Sequence, residues 1–319
     1  MSESLAEALA LWGLPAGDCT FVAGRENRVW RVETLQGAYA LRLRRPGYRS
    51  EVELRSELDW LAALDRAGIQ VPRPLPSRHG RLLERLGEGF ADVVAWLPGR
   101  PMGQSRRPLE LADRAGTFRA LGARIAELHL ACDAWTPTPG FRRCRWDAEG
   151  LVGEAPVWGR FWENPTLDTP TRELFLRLRD AARERLAGDT PDFGLIHADL
   201  VRENLLLDDT TIRLIDFDDG GFGYRLFDLA TVLLKSMDEP DYPSLRAALI
   251  AGYQGRRPLD LSHLDLFIAL RALTYVGWIV PRMAEPGGAE RNARFVAEAR
   301  ALCAGWLRDH RAFTGGGEA

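Results

Sequence analysis

Three oxygen-bearing side chains stand at telling positions in the stretch LIHADLVRENLLLDDTTIRLIDFDDGGFG. Asp199 follows an apolar run, Asn204 comes five residues later, and Asp216 closes the next apolar run. FGLIHA, NLLLD and TIRLID read as short strands, with Asp208-Asp209 turning the chain. A hairpin built from them is expected to bring all three side chains to one end. Two carboxylates and an amide oxygen make a hard-oxygen site suited to Mg²⁺, with phosphate oxygens completing the shell. Phosphoryl transfer needs little more, because its catalysis is positioning plus charge neutralisation.

Composition limits how phosphate could be held. The chain has 319 residues, 46% of them apolar, enough for one large or two modest domains with a proper core. Of its 42 basic residues only Lys235 is lysine. That excludes a P-loop G-K-[ST], a V-A-I-K lysine and a Schiff-base lysine elsewhere, so phosphate must meet arginine, backbone or metal. A net charge of −3 with interspersed signs offers no field for nucleic acid. The opening MSESLAEALALWGLP lacks a basic n-region and reads as a short amphipathic helix rather than a signal peptide. LFIALRALTYVGWIV is interrupted by Arg271 and is too short to span a bilayer without it, so no membrane segment is expected. Cys19, Cys132, Cys144 and Cys303 are scattered, which argues against a disulfide framework or a structural zinc and for a reducing cytoplasm.

The elements that must position the site divide into two kinds. TFVAG, NRVWRVET and AYALRLRR alternate like strands of an antiparallel meander, with Gln36-Gly37 as a turn. Ser50 and Glu53 form a capping box that opens a helix running to about Ala67, with Leu54, Leu58, Leu61 and Leu64 as its buried stripe and Gly68 as its stop. RLLERL and FADVVAW read as further strands, and LPGRP as a sharp stop. Helical patterns then cover roughly 108–133, 170–187, 225–238, 242–255, 261–283 and 287–312. The Trp- and Pro-rich stretch 134–169 reads as an irregular insertion, and the terminal TGGGEA as disordered.

HADLVREN also fits the pattern H-x-D-x-x-x-x-N, and IDFDD stands where kinases have D-F-G. On these residues the chain resembles the aminoglycoside phosphotransferase and choline kinase superfamily, a branch of the protein-kinase-like fold. ENRVWRV, YALRLRRP, HADLVREN and IDFDDGGFGYRLFDLA are most similar to the stress response kinase A and type II homoserine kinase group. The resemblance implies an α+β, bilobal fold. Residues 1–97 would form a small antiparallel-sheet lobe covering the nucleotide, and residues 98–319 a larger helical lobe with the catalytic loop and acceptor site. It implies ATP and Mg²⁺ as cofactors, Asp199 as the catalytic aspartate, and Asn204 and Asp216 as metal ligands. Arg42 stands where relatives have the third-strand lysine, and Glu57 where the helix glutamate pairs with it. The implied reaction moves the γ-phosphoryl group of ATP to a hydroxyl of a small amino alcohol, of a homoserine-like molecule or of a protein Ser/Thr. Choline or aminoglycoside kinases and an ATP-binding pseudokinase are the alternatives.

Departures from that pattern mark where other readings stay open. No G-x-G-x-x-G occurs in the first hairpin; AGRENR offers Gly24 alone, leaving backbone and Asn27 to cover phosphate. No A-P-E or long activation segment follows Asp216. Arg44, two residues beyond Arg42 on the same strand face, competes for the phosphate role. His197 reads as holding the catalytic loop and Asp228 as bracing it from a helix. Asp218 and Asp219 either assist metal and substrate or cap a turn. Trp135, Trp146, Trp158 and Trp162 could box a quaternary ammonium or seal a core. The arginines of FRRCRW read as a solvated face, Arg202 and Arg225 as the positions an anionic acceptor would use, and Lys235 as a residue without a site role.

Overall fold

The computed structural model describes residues 3–15, 19–24, 27–188, 191–209 and 211–310. Arg25 and Glu26 of AGRENR, in the expected phosphate cover, and the terminal TGGGEA lie outside the described residues. In chain order the elements begin with α1 (Glu3–Trp12), β1 (Cys19–Gly24), β2 (Asn27–Thr34), β3 (Gly37–Arg44), α2 (Glu51–Arg66), β4 (Pro74–Leu75), β5 (Leu83–Leu86), β6 (Gly89–Ala95) and β7 (Arg100–Pro101). They continue with α3 (Arg114–Ala134), β8 (Arg145–Trp146), α4 (Ala148–Val152), α5 (Thr169–Gly188), β9 (Phe193–Ile196), β10 (Leu205–Asp208), β11 (Thr211–Leu214) and β12 (Gly221–Tyr224). Helices α6 (Arg225–Leu234), α7 (Tyr242–Gln254), α8 (Leu264–Trp278) and α9 (Gly288–Asp309) close the chain. This is the mixed α+β class expected from the sequence, with antiparallel strands gathered toward the N-terminus and helices toward the C-terminus.

Two compact units result. One comprises residues 1–111, 130–143 and 202–218; the other comprises 112–129, 144–201 and 219–319. In the first, strands pair in the order β1-β2-β3-β6-β4, with β5 added on β6. Alternation along the strands gives the sheet two apolar faces. Trp30, Val32, Leu41, Ala91 and Val93 pack on Leu5, Ala8 and Leu9 of α1, while Ala40, Leu83 and Val94 pack on Leu54 and Leu58 of α2. Fully burying one leucine such as Leu58 contributes about 2 kcal/mol. The capping box of α2 is present: the Glu53 amide donates to Ser50 Oγ at 3.3 Å, and the Ser50 amide donates to the Glu53 carboxylate at 2.9 Å. The same unit holds a small sheet of order β11-β10-β7, so LPGRP, expected only to stop the chain, also adds a two-residue strand to β10.

In the second unit β12 lies between β9 and β8. GGFGY gave no strand signal because glycine weakens β propensity, yet its glycines are what let the strand fit. A Cβ on Gly221 would strike the Cys144 carbonyl, and one on Gly223 would strike Ile196 and Trp146. Every residue of α6 is buried, as is α8 from Leu266 through Gly277, the pattern of core helices. The helical pattern expected over 261–283 ends early. Helix α8 stops at Trp278, and a turn of 3-10 helix over Val280–Arg282 follows, since Pro281 has no N–H to continue the α-helical ladder and its ring would clash with the preceding turn. No helix among the described residues is long and apolar enough to cross a membrane.

Candidate active site

In the first unit the β10–β11 hairpin sets Asn204 against the neighbour of Asp216. Leu205 faces Leu214 in register, and the Ile215 amide donates to the Asn204 carbonyl at 3.0 Å. Asn204 ends a turn of 3-10 helix and is buried, whereas Asp216 is exposed with φ of +67°. A left-handed backbone is unfavourable for a residue with a Cβ, and such outliers gather at functional sites. The donors are an amide oxygen and a carboxylate, which suit a hard cation. Among the described residues no three His, Cys, Asp or Glu side chains form a ready-made metal cluster, so a cation held by Asn204 and Asp216 would have to draw its other ligands from phosphate oxygens and water. One expectation is corrected here. The hairpin carries Asn204 and Asp216 but not the strand leading to Asp199, because β9 pairs with β12 in the other unit.

The same unit holds a buried cluster of arginines and carboxylates. Arg42 and Arg44 share a face of β3; Arg42 lies opposite Asp92 in register, and Arg44 opposite Asn27 on the other side. Arg42 reaches Glu57 at 3.0 Å and Asp92 at 2.6 Å. Arg44 reaches Glu57 at 2.8 Å, Asp92 at 2.6 Å and Asp218 at 3.1 Å. Burial alone would push the Glu57 carboxyl up, but the guanidiniums of Arg44, Arg42 and Arg143 hold it far below the usual carboxylate range. Burial likewise works against the charge of Arg44, and Asp92, Glu57 and Asp218 outweigh it, so this guanidinium is bound more firmly to its proton than usual. Arg143 is not part of a solvated face as FRRCRW suggested. It is buried and donates to the carbonyls of Phe217 and Asp218, each at 2.7 Å. Its role was invisible because a run of arginines near turns looks like surface, and only the tertiary fold supplies the carbonyls. Asn27 opens β2 and is half-buried.

In the second unit Asp199 follows β9 on a clamped loop. The Asp228 carboxylate, fully buried on α6, accepts the backbone N–H of His197 at 2.9 Å and of Ala198 at 2.7 Å. Ala198 has φ of +65°, a strained conformation that this clamp holds. The Asp199 amide donates to His197 Nδ1 at 3.3 Å, which leaves the ring proton on Nε2 and gives His197 a structural task. Asp228 is itself contacted by His129 Nε2 at 3.0 Å, and His129 Nδ1 by the Tyr253 hydroxyl at 2.8 Å. Burial drives the His129 ring down to about 4, so it is neutral at pH 7.

Arg271 is the residue that sequence reasoning missed. It interrupts the apolar pattern of α8, and that interruption was its only signal. Its side chain is fully buried, and Nη2 donates to Asp199 Oδ1 at 2.6 Å and to the Tyr275 hydroxyl at 2.9 Å. Aromatic rings surround the guanidinium: Trp158 and Tyr275 centroids lie 4.5 Å away and Phe227 5.1 Å. Lys235, expected to be idle, places its ammonium 3.8 Å from the same Tyr275 ring. Trp162 is likewise covered by Arg179 at 3.9 Å, and Trp146 is buried and stacked on Phe227. Trp146, Trp158 and Trp162 thus pack on the protein's own cations and core, while Trp135 meets Phe141 edge-on at 5.2 Å. Arg225 is a brace, donating to the Leu195 carbonyl of β9, and Arg202 donates to the Arg107 carbonyl at 2.8 Å.

Comparison with known proteins adds an independent line. The sequence profile of the phosphotransferase enzyme family matches residues 18–262. A homoserine kinase from Acidiphilium cryptum is 30% identical over 270 residues, covering 82% of this chain and 78% of its own. The structure of a microcompartment-associated aminopropanol kinase superposes with a TM-score of 0.82 at 29% identity, over 97% of this chain and 98% of that one. An amicoumacin kinase in complex with AMP-PNP and Ca²⁺ has a TM-score of 0.75 at 22% identity, over 93% and 92% of the two chains, and shares the fold.

Proposed function

The chain belongs to the phosphotransferase enzyme family and is an O-phosphotransferase, and from that premise we propose that it moves the γ-phosphoryl group of ATP to the hydroxyl of a small amino alcohol or homoserine-like acceptor. In this reading residues 1–97 cover the nucleotide, residues 98–319 supply the catalytic loop and acceptor site, and the reaction runs in the cytoplasm. Relatives that are homoserine and aminopropanol kinases support a small acceptor over a protein hydroxyl. The observation that carries the reading is the clamp of Asp228 on His197 and Ala198, which fixes the loop bearing Asp199.

Asp199 orients the acceptor hydroxyl and takes its proton as the oxygen bonds to phosphorus. Asn204 and Asp216 are the residues that would hold Mg²⁺, and Asp216 does so from a left-handed backbone with φ of +67°. The chemistry such an ion would supply there is neutralisation of phosphate charge as ADP leaves. Arg42 is the guanidinium offered to phosphate, because its side chain keeps 12% exposure against 1% for Arg44. Arg44 instead holds Glu57, Asp92 and Asp218 in place, and Asn27 with the adjoining backbone covers the phosphates. A choline-type acceptor is disfavoured, since a quaternary ammonium stacking on Trp158 would meet the charge of Arg271.

The test is ADP release from Mg-ATP across homoserine, aminopropanol, choline, an aminoglycoside and a generic protein acceptor. Turnover with one of the first two, absent in Asp199→Asn, is expected. If no acceptor exceeds the Asp199→Asn background, the proposal fails.

A further inference from the structure

Arg271 is a buried cation that the fold does not need. Among the described residues its Nε and Nη1 have no hydrogen-bond partner, and its Nη2 finds only Asp199 and Tyr275. Burying a guanidinium with incomplete hydrogen bonding is costly, and replacing such a group by an apolar residue of similar volume is often neutral or stabilising. The surroundings suit such a replacement, being the rings of Trp158, Phe227 and Tyr275. The rings also immobilise the guanidinium plane, since cation–π attraction is strongest where water is excluded. What the charge does accomplish lies at Asp199, whose Oδ1 it grips at 2.6 Å while that side chain keeps 22% exposure. A carboxylate with one oxygen held by a buried charge is restricted to a single rotamer.

We propose that Arg271 is the positioning residue of Asp199: by gripping Oδ1 it holds the carboxylate in a single orientation toward the acceptor hydroxyl. This rests on the phosphotransferase reading above. The alternative, that Arg271 is a fork for an acceptor anion, fits the geometry less well. The two unpartnered nitrogens do not share an edge of the guanidinium; each borders the Nη2 already engaged, so they offer no bidentate cradle.

The experiment compares wild type, Arg271→Met, Arg271→Lys and Arg271→Ala. Loss of one charge-assisted orienting contact predicts a fall in kcat of about 10- to 100-fold in Arg271→Met, with KM for ATP and for the acceptor changed less than about threefold. Thermal stability is expected to hold or rise in that variant. Arg271→Lys should recover part of kcat, and millimolar methylguanidinium should raise the activity of Arg271→Ala, which a packing role cannot explain. A folded Arg271→Met with wild-type kcat overturns the inference, as does a loss residing wholly in acceptor KM. If Arg271→Met does not fold, absence of methylguanidinium rescue in Arg271→Ala overturns it. Wild type without turnover on any acceptor instead defeats the underlying function, and the inference with it.

Discussion

Arg44 holds Glu57 Oε1 at 2.8 Å from a side chain that is 1% exposed, while Arg42 reaches the same oxygen at 3.0 Å with 12% of its side chain open. The two arginines therefore have different tasks. Removing Arg44 leaves Glu57, Asp92 and Asp218 short of countercharge in the interior, and breaking a buried pair in this way costs about 3–5 kcal/mol. Arg44→Met is expected to show that loss in urea unfolding. Arg42→Met should cost less stability and instead weaken Mg-ATP binding, while Arg42→Lys retains part of it. Equal stability losses with unchanged ATP affinity in Arg42→Met would reassign the phosphate role.

Asp216 combines a proposed metal ligand with a left-handed backbone, and two substitutions separate these properties. Both Asp216→Ala and Asp216→Gly remove the carboxylate and should abolish Mg²⁺-dependent nucleotide binding. Glycine carries no Cβ penalty at φ of +67°, so Asp216→Gly should be more stable than Asp216→Ala by about 1 kcal/mol. Calorimetric titration of Mg-ATP together with thermal melts reads both effects. Undiminished Mg-ATP affinity in either variant removes Asp216 from the metal site.

His129 gives stability a pH dependence with a definite sign. Burial, aided by the charges of Arg225 and Arg257, lowers it from its ordinary 6.5 to about 4 against the pull of Asp228. Between those values the unfolded chain binds a proton that the folded chain refuses. The stabilisation is thus complete above pH 6.5 and is lost as pH falls toward 4, at up to about 1.4 kcal/mol per pH unit. Urea unfolding at pH 7, 6 and 5 should show a shallower slope in His129→Gln, which keeps a neutral polar group beside Asp228 and Tyr253. Identical slopes would mean that the fold does not hold the His129 ring below its ordinary value.

Much of this was readable in the sequence where local rules decide. The capping box at Ser50 and Glu53, the β1–β3 meander and the β10–β11 hairpin depend on alternation and turn residues, and they stand where expected. The family motifs pointed to Asp199, Asn204 and Asp216 for the same reason. Strand β12 was hidden because glycines chosen for close approach look like a loop. Arg143 and Arg271 were hidden because nothing local separates a buried arginine from an exposed one; the partners of Arg143 are carbonyls some 75 residues away, and that of Arg271 is a carboxylate 72 residues away. The pairing of β9 with β12 rather than with the hairpin was a choice among strands that only tertiary packing makes.

The ion pair between Asp199 and Arg271 makes a last expectation, in which activity and stability move apart. Asp199→Asn removes the one carboxylate that, among the described residues, pairs with the fully buried guanidinium of Arg271, so it should lose turnover and also about 1–3 kcal/mol of stability. Adding Arg271→Met to that variant removes the stranded charge and places an apolar side chain among Trp158, Phe227 and Tyr275. The double variant should therefore regain the stability lost in Asp199→Asn while remaining inactive. The two substitutions touch through one contact, so their coupling is expected to exceed the few tenths of a kcal/mol seen between independent sites. Denaturant unfolding of the four proteins in the cycle measures it. Additive stabilities would mean that Asp199 and Arg271 do not depend on each other, and Arg271 would then have no hold on the catalytic aspartate.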